Sequence, residues 1–140
     1  MTVPMYEIFD HTADLGLRMR AASLNELFAD AGRALFSVIV ANPDAVEAIQ
    51  EFDFEIEGSR RDDLLFDWLA ELLYTSDTRR VLFCEFDVQV QVTGVKATAR
   101  GEPIDQDRHQ LDMEVKAITY HGLKVERDGD GWLAEVIVDL

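Results

Sequence analysis

Phe86-Asp87-Val88-Gln89-Val90-Gln91-Val92-Thr93-Gly94-Val95-Lys96-Ala97-Thr98-Ala99-Arg100 is the stretch whose reading decides the fold. Apolar and polar side chains alternate from Phe86 to Val92, the pattern of a strand with one buried and one wet face. Gly94 supplies a turn, and Lys96 to Arg100 returns as the hairpin partner. Strands joined this closely pair antiparallel, because a parallel partner needs a long crossover.

Toward the N-terminus, Leu64, Leu65, Trp68, Leu69, Leu72 and Leu73 form a wide apolar stripe that predicts a helix to about Tyr74. Ser59-Arg60-Arg61-Asp62 is a possible capping box in front of it, and Asp63 stands where the helix dipole favours negative charge. Asp67 and Glu71 share its polar face, as ligands or as a solvated surface. Phe52, Phe54 and Ile56 alternate with Asp53, Glu55 and Glu57, a strand that Gly58 ends. Ser23-Leu24-Asn25-Glu26 is a capping box. It opens an amphipathic helix along Leu24, Leu27, Phe28, Ala31, Leu35, Val38 and Ile39, which stops near Val40 before Asn42-Pro43. Residues 5–10 and 15–20 read as short strands. Toward the C-terminus, Ile118–Tyr120 and Leu123–Val125 are extended, and Arg127-Asp128-Gly129-Asp130-Gly131 is a turn signal. Trp132, Ala134, Val136 and Val138 alternate after it. Two helices among about six strands, mostly joined by short turns, predict an α+β domain of largely antiparallel sheets spanning residues 1–140.

The chain of 140 residues is 48% apolar and 29% charged, a globular balance with enough length for a core. Its 28 acidic and 13 basic residues give a net charge of −15. That excess opposes sequence-independent binding of nucleic acid, which needs cations on phosphates. It suits a divalent cation, a basic protein partner, or simple solubility in salt. Cys84 is the only cysteine and sits in an apolar run, so it reads as a small buried hydrophobe outside any disulfide framework. The N-terminal Met1-Thr2-Val3-Pro4 lacks the pattern of a signal peptide, and no apolar run approaches the roughly 18 residues that cross a bilayer. A cytoplasmic location without membrane contact is expected. Gly-rich phosphate loops, zinc-spaced Cys and His pairs, and the nucleophile elbow G-x-S-x-G are missing from the sequence.

Two polar stretches carry the candidate chemistry. Asp10-His11-Thr12-Ala13-Asp14-Leu15-Gly16 packs carboxylates, an imidazole and a hydroxyl into a bend between strands, where side chains reach solvent for chemistry. The same residues also make Asx and Ser/Thr turns. Residues 101–116 read as a loop crowded with Glu102, Asp105, Asp107, Arg108, His109, Asp112, Glu114 and Lys116. The chain end adds Asp139 and the carboxylate of Leu140. These hard oxygen donors can join Asp14 around Ca²⁺ or Mg²⁺; a frayed terminus is the plain alternative.

Taken in order, the blocks His11-Thr12-Ala13-Asp14-Leu15-Gly16, Asp63 to Tyr74, Gly101-Glu102-Pro103-Ile104-Asp105, Glu114-Val115-Lys116-Ala117-Ile118-Thr119-Tyr120-His121 and Val138-Asp139-Leu140 resemble the archease family. The resemblance covers essentially the whole chain. It implies an α+β domain with two helices, acting as a non-catalytic accessory of a tRNA-splicing RNA ligase. Such a ligase joins a 2′,3′-cyclic or 3′-phosphate end to a 5′-hydroxyl, requires GTP and Mn²⁺, and is guanylylated on a histidine. The accessory speeds that guanylylation and allows multiple turnover. The resemblance further implies a divalent-cation site (Ca, Mg or Mn) at Asp14, Asp139 and Leu140. Partner activation falls to candidates His11, Arg108, His109, Glu114 and Lys116. Arg108 stands where other members often carry lysine, which keeps the charge but changes the hydrogen-bonding geometry. A general chaperone, or a modulator of RNA-modifying enzymes such as tRNA methyltransferases, is the alternative function.

Overall fold

The structure is a computed structural model that describes residues 5–11 and 14–140, His11 by its main chain alone. The reading of Met1–Pro4 and the contributions of Thr12 and Ala13 to the bend therefore lie outside the described residues. Element order is β1 (Tyr6–His11), β2 (Asp14–Ala21), α1 (Leu24–Ile39), a 3-10 turn (Pro43–Ala45), β3 (Gln50–Glu57), α2 (Arg61–Arg79), β4 (Val81–Gln91), β5 (Gly94–Pro103), β6 (Ala117–Ile118), β7 (Lys124–Asp128) and β8 (Gly131–Asp139).

The strands form two antiparallel sheets. The larger runs β1-β2-β8-β6, with β7 also on β8; the smaller runs β3-β5-β4. The hairpin predicted around Gly94 is present, with Gln91 opposite Gly94 and Phe86 opposite Ala99. Both helices touch both sheets: α1 lies against β2 and β4, and α2 against β6, β7 and all three strands of the smaller sheet. The helices are thus held between the sheets, and the protein is α+β as expected.

That placement changes what α1 must be. A one-sided stripe suffices for a surface helix, but a helix between two sheets is buried nearly all round. Leu27, Phe28, Leu35 and Val38 are buried, and so are Ala29, Gly32 and Ala34 between them. A Cβ at Gly32 would stand 2.8 Å from the Phe86 ring, so glycine there sets how closely α1 approaches β4. Ser23 caps the helix as predicted, its hydroxyl accepting the Glu26 N–H at 3.2 Å. In α2, Trp68 is fully buried and donates its indole N–H to the Phe28 carbonyl at 2.9 Å, tying the helices together. Phe83 lies at the centre of an aromatic cluster, with the rings of Phe36, Phe52 and Phe54 5.5, 5.3 and 6.1 Å away in edge-to-face geometry.

Several expectations need correction. Ser59 does not cap α2. Arg60 takes the cap position without a side-chain capping bond, while Asp62 accepts the Asp63 N–H at 3.0 Å and pairs with the Arg60 guanidinium. The helix continues past Tyr74 to Arg79 and ends at Arg80, whose φ of 53° is left-handed. Buried Ser76 helps hold this end by donating to the Val81 carbonyl at 2.6 Å. Strand β4 begins at Val81, well before the alternation becomes visible at Phe86. Val81, Leu82 and Phe83 are all buried, and a bulge between Phe83 and Glu85 then shifts the register, so period two is lost over this stretch. Cys84 sits in this bulge and is half-buried rather than a core residue. Finally, β5 runs through Gly101, Glu102 and Pro103, which the sequence reading placed in a loop.

Candidate functional site

The polar bend is mostly strand. β1 continues to His11 and β2 begins at Asp14, with these two residues paired. Asp14 in turn lies directly opposite Asp139 on β8, and Asp139 lies opposite Ala117 on β6. A transverse row His11–Asp14–Asp139–Ala117 therefore crosses one end of the larger sheet. Directly opposed residues of an antiparallel pair point to the same face, with Cβ atoms about 5 Å apart. Asp14 and Asp139 thus share a face as near neighbours, Asp14 half-buried and Asp139 exposed. Lys116 joins the row through its main chain, its N–H donating to the Asp139 carbonyl at 2.8 Å.

Two like charges placed opposite one another destabilise a sheet. Carboxylate pairs of this kind suit a hard cation that takes oxygen ligands. Among the described residues no group of three or more His, Cys, Asp and Glu side chains is close enough to hold a metal ion. The two opposed aspartates offer oxygen donors alone, a chemistry that suits Ca²⁺, Mg²⁺ or Mn²⁺ better than zinc. The side chain of His11 lies outside the described atoms.

Arg108 and His109 are not in this row. They belong to a second cluster built on Glu102, a residue whose burial the sequence reading did not anticipate. Glu102 is only 3% exposed. Its carboxylate accepts the Glu47 main-chain N–H at 2.6 Å, the Nε2–H of His109 at 3.1 Å and the guanidinium of Arg108. Burial pushes the Glu102 carboxyl up, but the Glu47 N–H, Arg108 and His109 together outweigh it and hold the group below the ordinary glutamate range. The His109 ring is wholly enclosed. Its Nδ1 accepts the Asp105 N–H at 2.9 Å, so the ring hydrogen sits on Nε2 and faces Glu102. Arg108 is half-exposed and also bonds Asp105 at 3.2 Å and the Ala45 carbonyl at 3.3 Å. Asn42 closes the arrangement, donating to the Arg108 carbonyl at 2.9 Å and accepting the Gln110 N–H at 2.8 Å. The cluster fixes the loop that follows β5 against the end of α1.

Glu114 and Lys116 are exposed on either side of buried Val115. They lie between the two clusters in the chain, and Lys116 is tied directly to Asp139. Asp67 is half-exposed and Glu71 exposed on the outer side of α2, the arrangement of a solvated face. What the sequence reading missed, besides Glu102, is the stack of half-buried Phe66 on exposed Tyr120, with ring centroids 3.8 Å apart and planes within 7°. Phe66 lies on α2 and Tyr120 in the connection between β6 and β7, and no local pattern links them. No helix is long and apolar enough to cross a membrane among the described residues.

Residues 6–140 match the model of the Archease protein family (MTH1598/TM1083). The chain is 42% identical to "Protein archease" of Methanopyrus kandleri, covering 96% of this chain and 99% of that one. It is 40% identical to "Protein archease" of Pyrococcus abyssi, over 96% and 98% of the two chains. The solution structure of Methanobacterium thermoautotrophicum protein 1598 superposes with a TM-score of 0.86 at 37% identity, over 96% of this chain and 98% of that one. A Thermotoga maritima crystal structure described as an archease, possible chaperone, has the same fold, with a TM-score of 0.67 at 23% identity over 99% and 100% of the chains. Match to the family model across nearly the whole chain, with these identities and this shared fold, shows that the chain belongs to the archease family.

Proposed function

We propose that this protein is the accessory of a GTP- and Mn²⁺-dependent tRNA-splicing RNA ligase in the cytoplasm, promoting the ligase's guanylylation and repeated turnover without catalysing a reaction itself. The observation that carries this reading is the direct opposition of Asp14 and Asp139 across β2 and β8. The pair concentrates negative charge at an open sheet end, with Lys116 bonded to the same strand. Asp14, Asp139 and the carboxylate of Leu140 would hold a divalent cation, which when bound offsets their repulsion and leaves the surface offered to the ligase net negative. A ligase centre that handles RNA phosphates, GTP and a metal is itself cationic, and a carboxylate-lined sheet end is electrostatically matched to it. Exposed Glu114 and Lys116 belong to the contacting surface, with His11 at the register position next to Asp14. Arg108 and His109 contribute by holding the loop through Glu102, since His109 has no exposed surface.

The test is RNA ligation with limiting cognate ligase, GTP and Mn²⁺, in the presence of wild-type protein or Asp14→Ala. Wild type should convert a stoichiometric reaction into a multiple-turnover one. Asp14→Ala, with unchanged circular dichroism, should not. Full stimulation by the variant would remove the carboxylate row from the mechanism. The chaperone alternative predicts suppressed aggregation of unrelated client proteins, equally by wild type and by Asp14→Ala.

A further inference from the structure

A cleft of about 360 Å³ opens between the C-terminal turns of both helices and the strap that follows β5. Its floor is apolar: Leu73 and Leu82 are buried, with Ile39 and Ile104 partly so. Its outer wall is formed by Leu111 and Met113, which are 43% and 41% exposed although they are large and apolar. The wall is part of the fold. Asp112 N–H donates to the Ile39 carbonyl at 2.8 Å, Met113 N–H to Val38 at 3.2 Å, and Ile104 N–H to Arg80 at 3.0 Å. The Glu102 cluster pins the other end of the strap. An apolar hollow with fixed walls and a flexible methionine at its mouth is suited to receiving an apolar side chain from outside.

The rim selects which one. Asp77, Asp112 and Glu114 surround the opening, with Arg80 the one cation in the lining. Burial pushes the Asp77 carboxyl upward, Glu114 pushes it further, and Arg80 draws it back less than Glu114 raises it. The rim therefore carries uncompensated negative charge that an incoming cation would relieve.

We infer that this cleft docks a segment of a protein partner in which an aliphatic side chain fills the hollow and a neighbouring arginine or lysine pairs with Asp77 and Glu114. The inference rests on the reading that this protein works by engaging another protein, and it names a surface distinct from the Asp14–Asp139 row. Val115 lines the cleft, and the next residue, Lys116, bonds the Asp139 strand, so one partner can span both surfaces.

The experiment titrates the ¹⁵N-labelled full chain with the blocked peptides acetyl-Gly-Leu-Arg-Gly-amide and acetyl-Gly-Leu-Glu-Gly-amide, followed by amide NMR. The arginine peptide should give saturable shifts centred on Leu73, Asp77, Met113 and Glu114. The glutamate peptide should bind about tenfold more weakly, because like charge at a rim is unfavourable. Asp77→Asn with Glu114→Gln should abolish the preference, and Met113→Ser, at an exposed position, should weaken both peptides. Asp14→Ala, outside the cleft, should leave the affinity for both peptides unchanged. Absence of cleft shifts, equal binding of the two peptides, shifts centred elsewhere, or concentration-dependent cleft shifts without peptide, which would mark a second copy as occupant, would each overturn the inference. Ligase stimulation that persists while peptide binding fails overturns this inference alone. Peptide binding that persists while wild type fails to stimulate ligase overturns the ligase reading alone.

Discussion

Glu102 shows how much a single carboxylate can organise. A buried charge is tolerated only when its lone pairs are taken up, and here a main-chain N–H, an imidazole and a guanidinium do so. Glu102→Gln should leave Arg108 without its buried counter-charge and lower stability by about 3 kcal/mol, measured by urea unfolding. The pH dependence follows from the sign of the shift. Because the folded-state carboxyl titrates below its ordinary range, its stabilisation is complete above that range and is lost as pH falls through the lowered value. Melting curves from pH 6 downward should therefore show an acid-labile component in wild type that Glu102→Gln lacks. Cys84 gives a second prediction at this scale. Burial, then Glu85 and Glu102, raises its thiol to about 11, so little thiolate exists at neutral pH. Its reaction with a disulfide reagent at pH 7.5 should be slower than that of a free thiol, and equality would show that the bulge is more open than the structure has it.

Among the elements, α1 carries the tightest constraint. Alanine normally favours a helix over glycine by about 1 kcal/mol. At Gly32 the added Cβ would meet Phe86 at 2.8 Å, and overpacking of a core costs about 1–3 kcal/mol. Ring atoms bonded into β4 cannot swing away like the end of a flexible chain, so the steric term wins. Gly32→Ala is expected to destabilise by about 1–2 kcal/mol in chemical denaturation, and Phe86→Leu in the same chain should recover part of the loss. The β2–β8 pairing makes the opposite kind of prediction. Asp14→Asn removes one of the two opposed charges, so comparing it with wild type reads what a cation does at this pair. Millimolar Ca²⁺ or Mn²⁺ should raise the melting temperature of wild type and leave the variant unmoved. A variant that responds equally places the cation elsewhere.

For the molecule as a whole, the net charge of −15 is the dominant electrostatic fact. Self-repulsion of that size works against the compact state and is screened by salt. Thermal stability should rise between 20 mM and 1 M NaCl by a few degrees, about 1 kcal/mol, whereas association with a cationic partner should slow over the same range. Opposite responses in calorimetry and in association kinetics would separate the two roles of the charge. The sandwiching of both helices between two sheets also explains how so acidic a chain keeps a core: most charges stay at the surface, Glu102 and Asp30 being buried exceptions, while Trp68, Phe28 and Phe83 are fully enclosed.

Local pattern alone determined the α+β class, both helices, the central hairpin and the Ser23 cap, because period, capping and turn chemistry act within a few residues. The polarity of Asp10 to Asp14 and of the chain end was also visible as candidate chemistry. Three things depended on the tertiary structure. The bulge at Cys84 concealed the start of β4, since it breaks the alternation that reveals a strand. Glu102 looked like one more loop carboxylate, because nothing local to it encodes the partners that bury it, Glu47, Arg108 and His109. Asp14 and Asp139 came to stand opposite one another only when the first hairpin paired with the last strand. A sequence records which side chains are available over a few residues; which of them meet is decided by pairings that span the whole chain and follow from burying both sheets against the helices between them.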